Sequence, residues 1–107
     1  MNRDRPDALV ARTWRGQTRA QDAQLYADYV LRTGIAAYRS VPGNLGAHLL
    51  YRFNDDVAEF LVISFWDSLE SIAGFAGPDV ETAVFYPEDD EWLVQRDMVA
   101  HHWSVLS

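Results

Sequence analysis

Arg12 sits in the middle of an apolar, β-rich stretch, Leu9-Val10-Ala11-Arg12-Thr13-Trp14. On a strand it shares a face with Val10 and Trp14. A cation there must be paired or must line a polar cavity. The partner is then an acid from the second half of the chain, or Arg12 is free to clamp an anion or phenolate. His101 and His102 are neighbours near the other end. Adjacent strand residues point to opposite faces, so the two cannot chelate one metal within a protomer. Either could be a hydrogen-bonded structural histidine or a base. Tyr86 precedes Pro87 and an acidic run, Glu88-Asp89-Asp90-Glu91. Its ring either packs the loop onto the core or presents a hydroxyl at a cavity mouth. The run lacks the alternating oxygen ligands and central Gly of a calcium loop and reads as a solvated loop.

Other chemistries are closed by composition. There is no cysteine and no lysine; all nine side-chain cations are arginine. Thiolate nucleophiles, iron–sulfur clusters, zinc ribbons, Schiff bases and the P-loop lysine are thereby excluded. No Gly-rich nucleotide fingerprint or G-x-S-x-G elbow occurs. The net charge of −7 argues against nucleic acid or an anionic membrane as partner. Residues 1–53 carry eight arginines against four acids; residues 54–107 carry Arg96 against twelve. The arginines are spread over a tail, a strand and a helix, so this asymmetry reads as solvation and internal ion pairing. No apolar run is long enough to span a membrane, and no apolar stretch of signal-peptide type follows the polar start. A cytoplasmic location is the expectation.

The 107 residues suit one domain, expected over 8–107 behind a loose tail at 1–7. A strand is expected from Ala8 to Arg15, ended by Gly16. Thr18-x-x-Gln21 then reads as a capping box. It opens a helix to about Thr33 that hesitates at Gly34 and continues to Tyr38, with Asp28 and Arg32 paired at i,i+4. Strands over Gly46–Phe53 and Val57–Trp66 flank a turn at Asn54-Asp55-Asp56. With Asp55-Asp56 as the loop, Arg52 faces Glu59. Ser68 caps a helix over Leu69–Ala76, stopped by Gly77-Pro78. A helical turn or two follows over 79–85, another over Glu91–Val94, and a last strand over Met98–Leu106.

The order β-α-β-β-α-β is that of an α+β, ferredoxin-like sandwich, a four-stranded antiparallel sheet with its helices on one face. Alternation places Leu49, Tyr51, Phe53, Ala58, Phe60, Val62, Ser64 and Trp66 on one face. His48, Leu50, Arg52, Glu59, Leu61, Ile63 and Phe65 fall on the other. Both faces of Phe60–Trp66 are apolar, so the bare face calls for a second copy of the chain.

Four stretches resemble the antibiotic biosynthesis monooxygenase superfamily. They are Ala11-Arg12-Thr13-Trp14-Arg15-Gly16, Val41-Pro42-Gly43-Asn44, Phe60 to Glu70 and Phe75-Ala76-Gly77. Val84 to Asp90 and the ending His102-Trp103-Ser104-Val105-Leu106 are similar to a bacterial subgroup. The resemblance covers roughly residues 8–106 and implies a dimeric α+β barrel, paired through the sheet face as a homodimer. It also implies a cavity between sheet and helices. Family activities include cofactor-independent oxygenation of aromatic polyketides, haem degradation, and the handling of small quinols or aldehydes.

Carried onto this chain, the resemblance implies no cofactor and no metal. His102 would be the base and Arg12 the phenolate-stabilising cation. Trp66, Trp14 and Tyr51 would form an aromatic pocket, and Tyr86 would add a hydrogen bond. The substrate would be a small electron-rich aromatic or quinol. The stretch Asp67–Tyr86 holds no histidine where the haem-degrading branches carry one, which argues against that chemistry. The alternatives are a non-catalytic dimer that binds a small ligand, and an isomerase or decarboxylase using the same base.

Overall fold

Gly16 does not end the first strand. In the computed structural model, which describes residues 9–106, β1 (Val10–Arg19) continues through it. The expected tail at 1–7 lies outside the described residues. The glycine is needed for space: a Cβ there would stand 2.5 Å from the ring of Trp14, which lies back across the strand. Because β1 takes in Thr18, the expected capping box does not form. The Thr18 hydroxyl donates to the Arg19 carbonyl instead. The helical run begins at Ala20, with Arg19 paired to Asp22 at 2.9 Å.

That run extends through α1 (Ala23–Val30), a π-helical segment (Leu31–Ile35) and α2 (Ala36–Ser40). The hesitation expected at Gly34 is this wider turn, and the Thr33 hydroxyl donates to the Tyr29 carbonyl within it. The expected Asp28–Arg32 pair is replaced by other contacts. Asp28 accepts from Gln24, and Arg32 lies over the Tyr29 ring.

β2 (Asn44–Asn54) and β3 (Val57–Trp66) form the expected hairpin in the expected register, with Arg52 opposite Glu59 and bonded to it. Asp55 takes the left-handed φ of +54° that a two-residue loop of this hand requires. β3 alternates strictly, with Ala58, Phe60, Val62, Ser64 and Trp66 buried under the helices. α3 (Leu69–Ala76) starts at Ser68, whose Oγ accepts the Ser71 N–H, and stops at Gly77 with φ +88°.

The sheet order is β2-β3-β1-β4, where β4 is Leu93–Arg96, with a fifth strand also beside β1, and all pairings are antiparallel. This is the ferredoxin-like arrangement with its last strand in two pieces: β4 (Leu93–Arg96) and β5 (His101–Ser104). A single strand over 98–106 was expected. Between the pieces the chain leaves β1 to pair with residues 81–83, through Ala83 N–H to the Met98 carbonyl and Ala100 N–H to the Glu81 carbonyl. Residues 79–83 are consequently drawn beside the sheet edge instead of coiling into the helical turns expected there. α4 (Asp89–Trp92) precedes β4.

The core lies between helices and sheet, with Tyr26, Tyr29, Ile35 and Tyr38 against Phe60, Val62 and Trp66. The opposite sheet face carries Leu50, 47% exposed, with Leu61, Ile63 and Phe65 half-buried. Among the described residues no helix is long and apolar enough to cross a membrane.

Candidate active site

Arg12 is 1% exposed. Its register partners, Ser64 on β3 and His102 on β5, fix it on the helix-covered side. Nε donates to the Tyr38 hydroxyl at 3.0 Å, and Nη2 to the Thr82 carbonyl at 3.1 Å. Nη1 donates to the Val80 carbonyl and lies 3.1 Å from His102 Nε2. The Phe75 ring lies 5.8 Å beneath the guanidinium. Among the described residues the acid partner expected from the second half of the chain is not there: every one of these groups is neutral. A guanidinium has five N–H donors. Four are engaged, which leaves one on Nη2 without a partner among the described residues.

Arg12 forms part of the wall of a cavity of about 50 Å³ between the sheet and the helical run. Trp14, Tyr26, Tyr38, Tyr86 and Asp89 supply most of the remaining aromatic and polar wall. Half-buried Thr33, Gly34 and Tyr86 stand at its rim, where the Tyr86 ring packs against the π-helical segment. Trp14 is held by its indole N–H, which donates to the Asp97 carbonyl at 2.8 Å.

Three expected site residues stand apart from the wall. Trp66 is fully buried behind it; its indole donates to Ser64 Oγ at 2.9 Å, and its ring meets Tyr38 edge-on at 5.7 Å. It therefore fixes the phenol that Arg12 touches. Tyr51 is on the expected face but too far along the hairpin for the helices to cover it. It is 52% exposed and stacked on Phe60. His102 shares the side of Arg12 and Trp66, yet sits behind the guanidinium rather than on the cavity.

No family model matches the chain, and neither does any curated protein. Solved structures do. An assigned antibiotic biosynthesis monooxygenase from Bacillus cereus superposes with a TM-score of 0.66 at 15% identity, over 94% of this chain and 95% of that one. SnoaB of Streptomyces nogalater, a cofactor-independent oxygenase, superposes at 0.63 with 16% identity, again over 94% and 95%. A protein of unknown function from Nitrosomonas europaea gives 0.67 at 13% identity, over 95% and 93%. The chain has the fold of the antibiotic biosynthesis monooxygenases. The resemblance read from residues 8–106 thus holds for architecture.

Arginine only donates, so His102 Nε2 accepts and the ring proton lies on Nδ1. Burial, and next the Arg12 charge, hold the His102 pKa below its ordinary value. The ring is neutral at neutral pH, with its free lone pair turned to Arg12. Asp89 is the residue that charge pattern conceals. Read within a solvated run, it is 5% exposed and lines the cavity. Its Oδ2 accepts the Tyr86 N–H at 2.6 Å, while its own N–H donates to the Tyr86 carbonyl. Desolvation raises its pKa above the ordinary carboxylate value. The signal was present: an acid three residues after Tyr86, with Pro87 between, marks a helix start at which the acid reaches back.

Burial also raises the Tyr26 and Tyr86 phenols, which stay protonated. Among the described residues no three His, Asp or Glu side chains gather as metal ligands. The wall is therefore aromatic, with a cation and a carboxylate set into it. It suits a flat organic molecule bearing ionisable oxygen.

Proposed function

We propose that this chain is a cofactor-independent monooxygenase acting on a small electron-rich aromatic or quinol in this cavity, as a cytoplasmic homodimer paired through its open sheet face. The observation that carries the reading is Arg12, a buried cation with neutral partners and one unused N–H at an aromatic wall. In a low-dielectric site such a group favours the anion of a substrate over its neutral form. Arg12 is the anion clamp, and His102 holds it. Trp66 braces Tyr38, Trp14 forms wall, and Tyr86 offers a hydroxyl at the rim. Tyr51 lies outside the site.

Once deprotonated, an electron-rich ring can itself reduce dioxygen. One oxygen atom becomes a ring carbonyl and the other leaves as water. The four electrons required come from the substrate carbon and its C–H bonds, and no external reductant enters. The protein's part is to bind, orient, hold the anion and exclude water. A cavity of about 50 Å³ is smaller than such a substrate. Ligand pockets generally reach about 300 Å³ or more. The Tyr86 ring must therefore swing away from Gly34 on entry.

The test is oxidation of an anthrone, in which a ring CH₂ becomes a carbonyl, or ring hydroxylation of a quinol to a hydroxyquinone, under ¹⁸O₂ with protein freed of metal by chelation. One labelled atom in the quinone product and one in water is the expected result. Oxidation no faster than in buffer, across several such substrates, overturns the reading. A second reading, a non-catalytic dimer that binds a small ligand, draws on the cavity's size. Tyr26, Tyr29 and Trp92 pack on one another with ring centroids between 5.1 and 6.5 Å, filling space that a substrate would need.

A further inference from the structure

We propose that Asp89 is the proton acceptor of this cavity, taking the hydroxyl proton of a quinol or enol whose far oxygen is held by Arg12. The inference rests on reading the cavity as a site for a hydroxylated aromatic, and it adds the base. Asp89 and Arg12 are both at least 95% buried and line one cavity, yet among the described residues they are not within ion-pair distance of each other. Oδ2 of Asp89 is taken by the Tyr86 N–H, and among the described residues Oδ1 accepts no hydrogen bond. The nearest competing cation, Arg96, is engaged by Asp90 and lies over the Phe85 ring at 4.7 Å.

Two opposite charges kept apart in an apolar cavity are each costly to bury. A molecule with a hydroxyl at one end and a conjugated oxygen at the other satisfies both. Its O–H donates to Asp89 Oδ1, and its distal oxygen accepts the unused Nη2 N–H of Arg12. Proton transfer forms one O–H bond on Asp89 and breaks one on the substrate. The electron pair stays on the substrate, delocalised toward Arg12. His102 cannot serve instead, because its accepting nitrogen faces the guanidinium. It is a positioning residue.

The groups facing Asp89 are Tyr26 and Tyr29 of α1, Tyr86 in the preceding turn, Arg96 of β4, and its neighbour Asp90. Burial raises all three phenols, which stay protonated through neutral pH. Burial lifts the Asp89 carboxyl toward the range of a quinol hydroxyl, which eases the transfer.

The test uses 4-nitrophenol as a probe that dioxygen does not oxidise, with the phenolate absorption band and the dissociation constant followed against pH. The whole protein is compared with Asp89→Asn, which keeps the Tyr86 contact, and with Asp89→Glu. Wild type should bind the probe as phenolate with an affinity independent of pH between the Asp89 pKa and the probe's own, since the proton stays on Asp89. Asp89→Asn must release that proton to solvent, so its affinity should fall about tenfold per pH unit in the same range. Its quinol turnover should drop at least about a hundredfold. Asp89→Glu should restore part of both. A flat profile and unchanged turnover in Asp89→Asn overturn the proposal and leave the oxygenase reading standing. Phenolate binding as described without any quinol oxidation upholds the proton acceptor and overturns the oxygenase. A wild type that neither binds the probe nor oxidises quinols overturns both.

Discussion

Arg12 Nη1 and His102 Nε2 lie 3.1 Å apart across the β1–β5 ladder, and only the guanidinium has hydrogens to give. The contact exists only while the imidazole is neutral. Its folded pKa is depressed below the ordinary 6.5, so the unfolded chain binds the proton more readily. The stability carried by the neutral ring is complete above pH 6.5 and is lost as pH falls through the lower folded value. Asp89 has the opposite sign: its raised pKa adds stability below the ordinary 3.8, lost as pH rises through the folded value. Urea denaturation from pH 5 to 8 should show wild type weakening below pH 6.5, and His102→Gln should flatten that slope. An identical slope in the variant would remove His102 from the account.

Arg12→Met should destabilise the fold by about 3 kcal/mol. The new side chain fills similar volume, but the Tyr38 hydroxyl and the Val80 and Thr82 carbonyls lose their donor inside the protein. Arg12→Lys keeps the charge and loses the fork, so it should recover only part of the loss. Chemical denaturation measures both. Equal stability of the three proteins would mean that water replaces the guanidinium without cost.

Leu61→Arg should abolish self-association. Leu61 stands at the centre of the open face, with Leu50 on the neighbouring strand and Ile63 and Phe65 further along its own. Covering four such side chains is worth roughly 6–12 kcal/mol before association costs. Trp103, 60% exposed on the same face with its indole donating to Thr13, provides the signal. Its fluorescence should shift on dilution of wild type, and light scattering should give a dimer mass only for wild type. A monomer mass for wild type at micromolar concentration would refute the pairing.

Legibility in the sequence followed the range of the forces. The hairpin register was readable because Arg52 and Glu59 lie seven residues apart on neighbouring strands, and the β3 faces because alternation is local. The π-helical segment announced itself at Gly34. The broken last strand did not, because residues 98–100 leave β1 for a partner, 81–83, that only the folded chain supplies. Tyr51 shows the limit of alternation: the pattern assigns a face but not how far the covering helices reach. Asp89 was lost in a run of four acids, three of them exposed, since charge composition cannot tell which carboxylate turns inward.

Gly16→Ala tests how tightly the aromatic wall is set. The added methyl would sit 2.5 Å from the tip of the Trp14 ring and 3.1 Å from Leu93. The ring is pinned at its other side by the bond from its indole N–H to the Asp97 carbonyl and meets Phe85 edge-on at 6.2 Å. It therefore cannot rise without giving up that bond or moving the β4 edge. Overpacking of this kind costs about 1–3 kcal/mol. The variant should melt several degrees lower, with altered near-ultraviolet circular dichroism from Trp14, while the edge strand β2, which does not pair with β1, keeps its exchange protection. Because Trp14 and Arg12 share the cavity wall, 4-nitrophenol binding should weaken in step. A variant with wild-type melting and unchanged dichroism would show that the ring has room the packed strand does not reveal.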